Sequence, residues 1–274
     1  MHDSISVIIP THNRKESLSR ALDSVVFQTH PADEIIVVDD GSDDGTRQFI
    51  TRQYKQVIYL HHDNRGVSFS RNAGVARAQG KWLAFLDSDD EWLPNKLALQ
   101  LDALSENPRV PLCHTEEIWI RNGVRVNAMD KHKKRGGNIY LNCLPLCVMS
   151  PSSVMMSRNL FLQAGGFDKN LPACEDYDLW LRICVDNPVL FIEEPLVRKY
   201  GGHPDQLSRR YWGMDRFRVQ ALEKMIDSNV LNEDFLNATR KLLVEKCEIL
   251  VNGAVKRNND DIAKYYQHRI SRYC

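Results

Sequence analysis

The 274-residue sequence has no long apolar run. No window approaches the ~18 uncharged apolar residues that a membrane-spanning helix needs, which argues against such a helix. The first ten residues carry an acid early and only a short apolar stretch, which is not the pattern of a signal peptide. The seven cysteines form no CxxC pair, and their odd number favours reduced thiols over a disulfide framework. We therefore expect a cytoplasmic protein.

An excess of charge of either sign is also missing. The 36 Lys and Arg residues balance the 36 Asp and Glu residues. Because a protein dedicated to duplex DNA is normally basic, nucleic acid is disfavoured as a partner. Hydrophobic residues make up 43% and charged residues 26%, and this near-average composition excludes a disordered chain.

Several common cofactor motifs are absent. No GxGxxG is present, so a Rossmann dinucleotide site lacks its fingerprint. The stretch 74–81 differs from a P-loop, because five residues separate its glycines and Trp82 stands where Ser or Thr is needed. There is no HExxH and no Cys/His cluster with zinc spacing. Binding of dinucleotides, P-loop chemistry and zinc proteolysis are therefore disfavoured.

What the first 110 residues contain is an alternation of strand-like and helix-like segments. Short β-branched runs predict strands at 5–9, 35–38, 57–60 and 82–86. Helical spacing predicts helices that open at a capping box formed by Asn13 and Glu16, at 46–54, at 67–78 and from Pro94. This order predicts an α/β fold with a mostly parallel central sheet and helices on both faces.

The second half is less regular. Residues 110–120 indicate a strand pair, 153–156 a strand, 175–185 a helix, and 190–192 and 196–200 two strands. The basic stretch 131–137 is interpreted as a solvated loop, with a phosphate contact as the alternative. From residue 206 the pattern is helical, so we expect one α/β domain at 1–205 and a helical appendage at 206–274, packed on the domain or extending from it.

Polar clusters follow three of the four predicted strands, at 10–14, 39–45 and 87–90. The carboxyl ends of parallel strands meet at one edge of a sheet, where ligands bind in such folds. Acids crowded at that edge would repel one another unless a divalent cation or well-placed donors relieved them. Asp87 and Asp89 form a DxD pair directly after a buried strand, and their oxygens suit Mg²⁺ or Mn²⁺.

Four segments carry a specific resemblance to a known family: SVIIPTHNR at 6–14, EIIVVDDGSDDGT at 34–46, NRGVSFSRNAGVARAQGKWLAFLDSDDEW at 64–92 and EDYDLWLR at 175–182. Together they resemble the family 2 glycosyltransferases, inverting enzymes with a GT-A fold, over about residues 4–205. The resemblance implies a metal-dependent enzyme that moves a sugar from a nucleoside-diphosphate donor, a UDP-sugar above all, to a hydroxyl acceptor. The acceptor would be a saccharide or a lipid-linked saccharide in the synthesis of cell-surface polysaccharide, lipopolysaccharide or glycoconjugate.

The resemblance also implies a set of donor-side residues. The nucleotide-sugar site would comprise Pro10, Thr11, Arg14, Asp39, Asp40, Arg71, Asp87 and Ser88. Asp40 would accept a hydrogen bond from the N3–H of uracil, a donor that cytosine lacks at that position. Arg71 would lie near the diphosphate or the DxD acids, with a plain ion pair to an aspartate as the alternative reading. Asp89 and Asp87 would bind the metal, and Asp90 would support them.

On the acceptor side, the segment Gly165-Gly166-Phe167-Asp168 matches the GGFD turn of the family. The next acids match its catalytic pair, so Asp176 would be the base and Glu175 would position the acceptor or the base. Asp178 is the alternative base, and helix capping is the alternative role for the pair. His203 is a candidate third metal ligand, which would favour Mn²⁺, unless it is an ordinary loop histidine.

Other readings stay open at this point. The segment 209–212 joins two arginines to Tyr211 and Trp212 and is either a peripheral contact with the inner face of the membrane or an ordinary packed helix start. The C-terminal helices could cover the sheet or pair two subunits. The rival functions are a non-catalytic nucleotide-sugar binding protein and a sugar-phosphate nucleotidyltransferase.

Overall fold

The computed structural model describes residues 3–127, 132–202 and 211–274. The first part holds β1 (Ile5–Thr11), α1 (Lys15–Val26), β2 (Glu34–Asp40), α2 (Thr46–Gln53), β3 (Ile58–His62), α3 (Val67–Arg77), β4 (Trp82–Phe85), β5 (Glu91–Trp92) and α4 (Lys96–Glu106). The middle holds β6 (Leu112–Arg121), β7 (Val124–Val126), α5 (Tyr140–Cys143), β8 (Val154–Ser157), α6 (Arg158–Gln163), α7 (Glu175–Cys184) and β9 (Leu190–Gly201). The last part holds α8 (Asp215–Asp227), α9 (Glu233–Val255) and α10 (Asp260–Tyr273).

The strands form one sheet in the order β3-β2-β1-β4-β8-β6-β9-β5, with β7 added to β6. The strands β1 to β4 pair in parallel, which confirms the predicted β-α-β-α arrangement. Beyond them the sheet is mixed, because β8 runs antiparallel between β4 and β6 while β6 and β9 pair in parallel. The carboxyl ends of the parallel strands therefore share one edge, as the sequence predicts.

Both faces of the parallel part are covered. Ile8 and Val38 point into a core shared with α3 and α7, whereas Val7 and Val37 point into a second core shared with α1. Strands buried on both faces explain the continuous β-branched runs in the sequence. Gly74 lets α3 come close to the sheet, because a Cβ there would lie 2.5 Å from a methyl carbon of Ile8.

Two strand predictions are wrong in their boundaries. The expected strand pair at 110–120 is one ten-residue strand, β6. The two expected strands at 190–192 and 196–200 are one twelve-residue strand, β9, which continues through the exposed Glu193 and Glu194. Pairing with β6 carries β9 across these acids, with register shifts between residues 115 and 117 of β6. Cross-strand pairing thus overrides the local break in the apolar pattern.

The capping-box prediction at the first helix is also wrong. The helix α1 begins at Lys15, and Asn13 lies before it with a left-handed φ of 50°. The Asn13 side-chain oxygen accepts a hydrogen bond from the backbone N–H of Asp43 at 2.9 Å instead of capping the helix. Asn13 therefore ties the loop after β1 to the loop after β2.

The basic stretch at 132–137 is not a solvated loop at Lys134. The Lys134 side chain is only 4% exposed, and its Nζ lies 2.9 Å from Glu117 Oε2. It also donates to the Thr115 carbonyl at 2.9 Å. The ion pair with Glu117 of β6 thus holds this lysine in the interior. Lys131, the first residue of the basic stretch, lies outside the described residues.

The C-terminal helices pack on the α/β part. Lys224 of α8 forms ion pairs with Asp168 and Asp178, and the Tyr140 hydroxyl lies 2.8 Å from the Thr239 hydroxyl of α9. The predicted domain boundary at 205/206 lies outside the described residues and stays a prediction. In the ranges that the structure describes, no helix is both long and apolar enough to cross a membrane.

Candidate active site

Arg71 joins the two acidic groups that the sequence places 88 residues apart. It lies on α3, where its Nη2 donates to Asp87 Oδ1 at 2.6 Å and its Nη1 to Glu175 Oε1 at 2.5 Å. The Arg71 and Glu175 side chains are 4% and 5% exposed, and Asp87 is 26% exposed. The DxD loop after β4 and the start of α7 therefore meet at one edge of the sheet. Arg71 thus lies beside a DxD acid and forms an ion pair with it, which fits both readings, and a contact with the diphosphate stays a prediction.

Burial and charge pairing shift the pKa values of the two acids that Arg71 joins, Asp87 and Glu175. Burial raises the pKa of Glu175 to about 7, although Arg71 opposes the rise. At Asp87 the balance is reversed: despite burial, Arg71 and Lys199 hold the pKa below its usual range. Asp87 is therefore ionised at neutral pH, while the charge on Glu175 depends on its arginine partner.

The rest of the DxD loop is held from two sides. Arg14 Nη1 lies 2.6 Å from Asp89 Oδ2, and Arg20 Nη2 donates to the Asp89 carbonyl at 2.7 Å. Asp90 is buried and accepts from the Ser152 hydroxyl at 2.7 Å and from the Tyr200 backbone N–H at 3.1 Å. Asp90 therefore fastens the loop to β9, in agreement with a supporting role.

Asp39 and Asp40 organise the loops of the expected nucleotide pocket. Asp40 accepts from the backbone N–H groups of Arg65 at 2.7 Å and Gly66 at 2.9 Å, just before α3. Asp39 is fully buried and accepts from the Ser42 N–H at 2.9 Å and the Tyr59 hydroxyl at 2.5 Å. The structure thus places Asp39 inside the loop rather than at the pocket surface. That Asp40 accepts a hydrogen bond from a base stays a prediction.

The other predicted donor-side residues cluster at the end of β1 and in the DxD loop. Pro10, Thr11 and Ser88 are buried. The Thr11 hydroxyl has no hydrogen-bond partner in the part of the chain that the structure describes. Arg14 keeps a 21% exposed side chain beside Asp89. Among the predicted donor-side residues, Arg14, Asp87 and Asp89 keep part of their side chains exposed. A ligand can therefore reach these three directly.

Asp176 is the accessible member of the pair at the start of α7. Its side chain is partly exposed, whereas Glu175 is buried. Its Oδ1 accepts from the Tyr177 N–H at 2.7 Å, and its Oδ2 accepts from the Cys147 thiol at 3.2 Å. The residue before the helix, Cys174, has a left-handed φ of 61°, which turns the chain into α7. Asp176 is therefore a carboxylate held in one orientation at a helix N-terminus.

Cys147 is a site residue that the sequence analysis missed. Burial, together with Asp176, raises the pKa of the Cys147 thiol well above its usual value, so it stays protonated and can donate. It lies 29 residues before Asp176 in the sequence. No local pattern marks such a contact, because tertiary packing alone creates it.

Asp178 is buried in an ion-pair network that has a structural role. Its side chain is 1% exposed and forms ion pairs with Arg182 Nη2 at 2.6 Å and Lys224 Nζ at 2.7 Å. One partner is on α7 and the other on α8, so Asp178 links the C-terminal helices to the α/β part. This arrangement favours Asp176 over Asp178 as the base.

We expect Asp178→Asn to lower the free energy of unfolding by about 1–3 kcal/mol, because two cations lose a buried charged partner. The kcat of the folded protein should change less than about twofold. Urea denaturation and initial rates on the same preparation measure both effects. A large loss of kcat with unchanged stability would instead point to Asp178 as the base.

The DxD acids fit a divalent cation in part. Asp87 and Asp89 supply hard oxygen donors, and Mg²⁺ is often held by one or two carboxylates together with substrate phosphates. Within residues 3–127, 132–202 and 211–274, no group of three or more His, Cys, Asp or Glu side chains is arranged to hold a metal ion. The pair thus suits a cation that a diphosphate helps to bind. His203 lies outside the described residues, so its predicted role as third ligand stays untested.

An α/β sheet with acids gathered at the ends of its parallel strands is the arrangement of the GT-A nucleotide-sugar transferases. The chain belongs to glycosyltransferase family 2, because the family described as "Glycosyl transferase family 2" matches residues 6–161. This confirms the family resemblance seen in the sequence.

Curated relatives agree with this membership. The chain is 31% identical to an uncharacterized glycosyltransferase of Rickettsia felis over 288 aligned residues, which cover 100% of the chain and 46% of that relative. The chain thus spans about half the length of this relative. It is also 30% identical to WfgD of Escherichia coli over 189 residues, which cover 68% of the chain and 71% of WfgD. WfgD is described as a UDP-Glc:alpha-D-GlcNAc-diphosphoundecaprenol beta-1,3-glucosyltransferase.

Solved structures confirm the fold. S. aureus TarS 1–349 in complex with UDP-GlcNAc superposes with a TM-score of 0.65 at 16% identity, over 98% of this chain and 92% of that one. The mannosyltransferase PcManGT from Pyrobaculum calidifontis, in complex with GDP-Man and Mn²⁺, gives 0.61 at 19% identity, over 98% and 83%. At such identities the likeness shows a shared GT-A fold.

Proposed function

We propose that the protein transfers a sugar from a UDP-sugar to a hydroxyl group of a saccharide or lipid-linked saccharide, in the synthesis of a cell-surface polysaccharide. The observation that carries the proposal is the bridge through Arg71, which sets the DxD loop against the acidic pair of α7. The donors and acceptor in the names of WfgD and TarS support the substrate class.

In this proposal Asp176 is the base. The Cys147 thiol and the Tyr177 N–H orient its carboxylate, which removes the proton from the acceptor hydroxyl as that oxygen attacks the anomeric carbon. The attack comes from the face opposite the diphosphate, so an α-linked donor gives a β-linked product. Glu175 is buried against Arg71 and acts by holding the DxD loop beside Asp176.

On the donor side, Asp39 and Asp40 hold the loops around the nucleotide, and Arg14 and Arg20 hold Asp89 in place. Asp87 and Asp89 would hold Mn²⁺ or Mg²⁺. When bound, such an ion supplies Lewis-acid stabilisation of the diphosphate. The Mn²⁺ in the PcManGT complex supports this choice of cofactor.

The experiment that tests the function is a screen of nucleotide-sugar donors with and without Mn²⁺. We expect a UDP-sugar to raise the melting temperature in the presence of Mn²⁺, because a ligand that binds only the folded state stabilises it. With an acceptor present, the reaction should release UDP. Release of pyrophosphate from UTP and a sugar 1-phosphate would instead identify a nucleotidyltransferase, and binding without turnover over a panel of acceptors would identify a non-catalytic binding protein.

We expect Asp89→Ala to remove most of the Mn²⁺-dependent part of UDP binding, a loss of about tenfold or more, because an oxygen ligand disappears. Titration calorimetry with Mn²⁺ and with EDTA measures this part. Asp102→Ala, which changes an exposed aspartate of α4, is the matched control. Equal Mn²⁺-dependence in both variants would rule out Asp89 as a metal ligand.

A further inference from the structure

Lys199 is a charged residue of the site to which the sequence analysis assigned no role. It lies on β9, where the strand register pairs it with Trp119 of β6 and places Val197 opposite Glu117. The next residue, Tyr200, donates its backbone N–H to Asp90 Oδ1 at 3.1 Å. The strand therefore holds Lys199 directly beside the DxD loop.

The Lys199 ammonium lies in the field of four carboxylates, those of Glu117, Asp90, Asp87 and Asp176. Burial opposes its charge, but attraction to these acids outweighs burial and raises the pKa of Lys199. Asp87 and Asp90 belong to the donor side, whereas Asp176 is the proposed base. The Lys199 charge therefore interacts with acids of the donor side and with the proposed base.

The other cations of the site are directly paired. Arg71 donates to two carboxylates, and Arg14 lies 2.6 Å from Asp89. By contrast, over the described parts of the chain the Lys199 Nζ takes part in no hydrogen bond and in no ion pair within 4.0 Å. An ammonium group has three N–H donors. Here the surrounding acids favour its charged form, and its donors stay available to an anionic ligand.

We infer that Lys199 binds the diphosphate of the sugar donor and stabilises the nucleoside diphosphate as it leaves. This inference rests on the proposed transfer reaction. In that reaction the bond between the anomeric carbon and the β-phosphate oxygen breaks, and its electron pair stays on that oxygen. The acceptor oxygen forms the new bond to the anomeric carbon, and its proton goes to Asp176. A fixed cation is worth most where charge develops during the reaction.

The test compares ligands that differ only in their phosphates. Wild type and Lys199→Met are titrated with uridine, UDP and inorganic pyrophosphate in the presence of Mn²⁺. We expect Lys199→Met to weaken UDP and pyrophosphate roughly 10- to 100-fold, as for a lost charged hydrogen bond, and to leave uridine within about twofold. Lys199→Arg should recover part of the affinity, because it keeps the charge. Arg198→Met is the control, since it removes a neighbouring charge whose partner is Glu91.

The outcomes separate this inference from the proposed function. If the wild type transfers sugar but Lys199→Met binds UDP and pyrophosphate as tightly as the wild type does, the role of Lys199 is overturned and the proposed function stands. A fall in melting temperature with equal losses for uridine and UDP would also overturn the role of Lys199, because it would show a structural role. Binding of pyrophosphate that depends on Lys199, without any sugar transfer, would support the anion site and refute the transfer reaction. Wild type that binds neither UDP nor pyrophosphate would refute both.

Discussion

Asp176→Asn is expected to lower kcat by about 10²- to 10⁴-fold, the usual contribution of a positioned base. The asparagine side chain cannot take the proton of the acceptor hydroxyl. Its amide oxygen can still accept the Tyr177 N–H, so the start of α7 should keep its structure. Initial rates of UDP release with a saturating donor measure the loss.

The control for this prediction is the behaviour of the donor. UDP affinity with Mn²⁺ should stay within about twofold of wild type, because the base acts on the acceptor and not on the nucleotide. The neighbouring Asp178→Asn separates the two acids of α7, since it should lower stability and leave kcat nearly unchanged. Wild-type turnover in Asp176→Asn would show that another group removes the proton.

Arg71→Met is expected to have the largest effect on stability. It removes the cation between Asp87 and Glu175, and leaves the Glu175 carboxylate, which is 5% exposed, without its partner. Breaking a buried pair from one side typically costs about 3–5 kcal/mol, and we expect this loss at pH 8.5. Urea denaturation of both proteins at several pH values measures it.

The loss of stability in Arg71→Met should be smaller at pH 6, because Glu175 is then mostly protonated and needs no counter-charge. The pKa of Glu175 in the fold, about 7, lies above its ordinary value of 4.5, so the folded state binds the extra proton between these values. Stability from this group therefore falls as pH rises through that window. Without Arg71 the folded pKa rises further, and the fall continues above pH 7.

The double variant Arg71→Met/Glu175→Gln provides the control. A neutral amide needs no counter-charge, so we expect the double variant to be more stable than Arg71→Met at pH 8.5 and to lose the added pH dependence. If both variants showed the same stability at every pH, Glu175 would not be the group that Arg71 neutralises. Rates measured on the same proteins report whether the bridge also aligns the donor and acceptor sides.

Local sequence was sufficient for the parallel part of the fold. Strands buried on both faces, such as β1 and β2, leave continuous apolar runs that local patterning can recognise. Prediction from local sequence failed where contact with a residue distant in the chain determines the structure. Pairing with β6 extends β9 through Glu193 and Glu194, and Asp43 takes the side chain of Asn13 away from the helix. Such contacts depend on the three-dimensional arrangement and have no local signal.

The residues of the site divide in the same way, into those that local sequence reveals and those that only tertiary packing brings together. The DxD pair is visible as a motif directly after a predicted strand, and the acids at 175 and 176 are visible through the family resemblance. Lys199 and Cys147 were not visible, since a lysine within a strand and a cysteine in a loop are ordinary in any protein. Only the sheet register and the packing of α7 bring them to the acids.

The sequence by itself determined the family, the parallel β-α units and the set of acids at the carboxyl ends of the strands, because these follow from local periodicity and short motifs. The global charge balance of 36 against 36 gave no sign of how charges pair inside the site. Only the tertiary structure decided that Arg71 joins Asp87 to Glu175, that Asp178 holds α8 instead of facing the site, and that Lys199 keeps its donors available. Those outcomes depend on burial and on distances between residues far apart in the chain, which residue order alone does not specify.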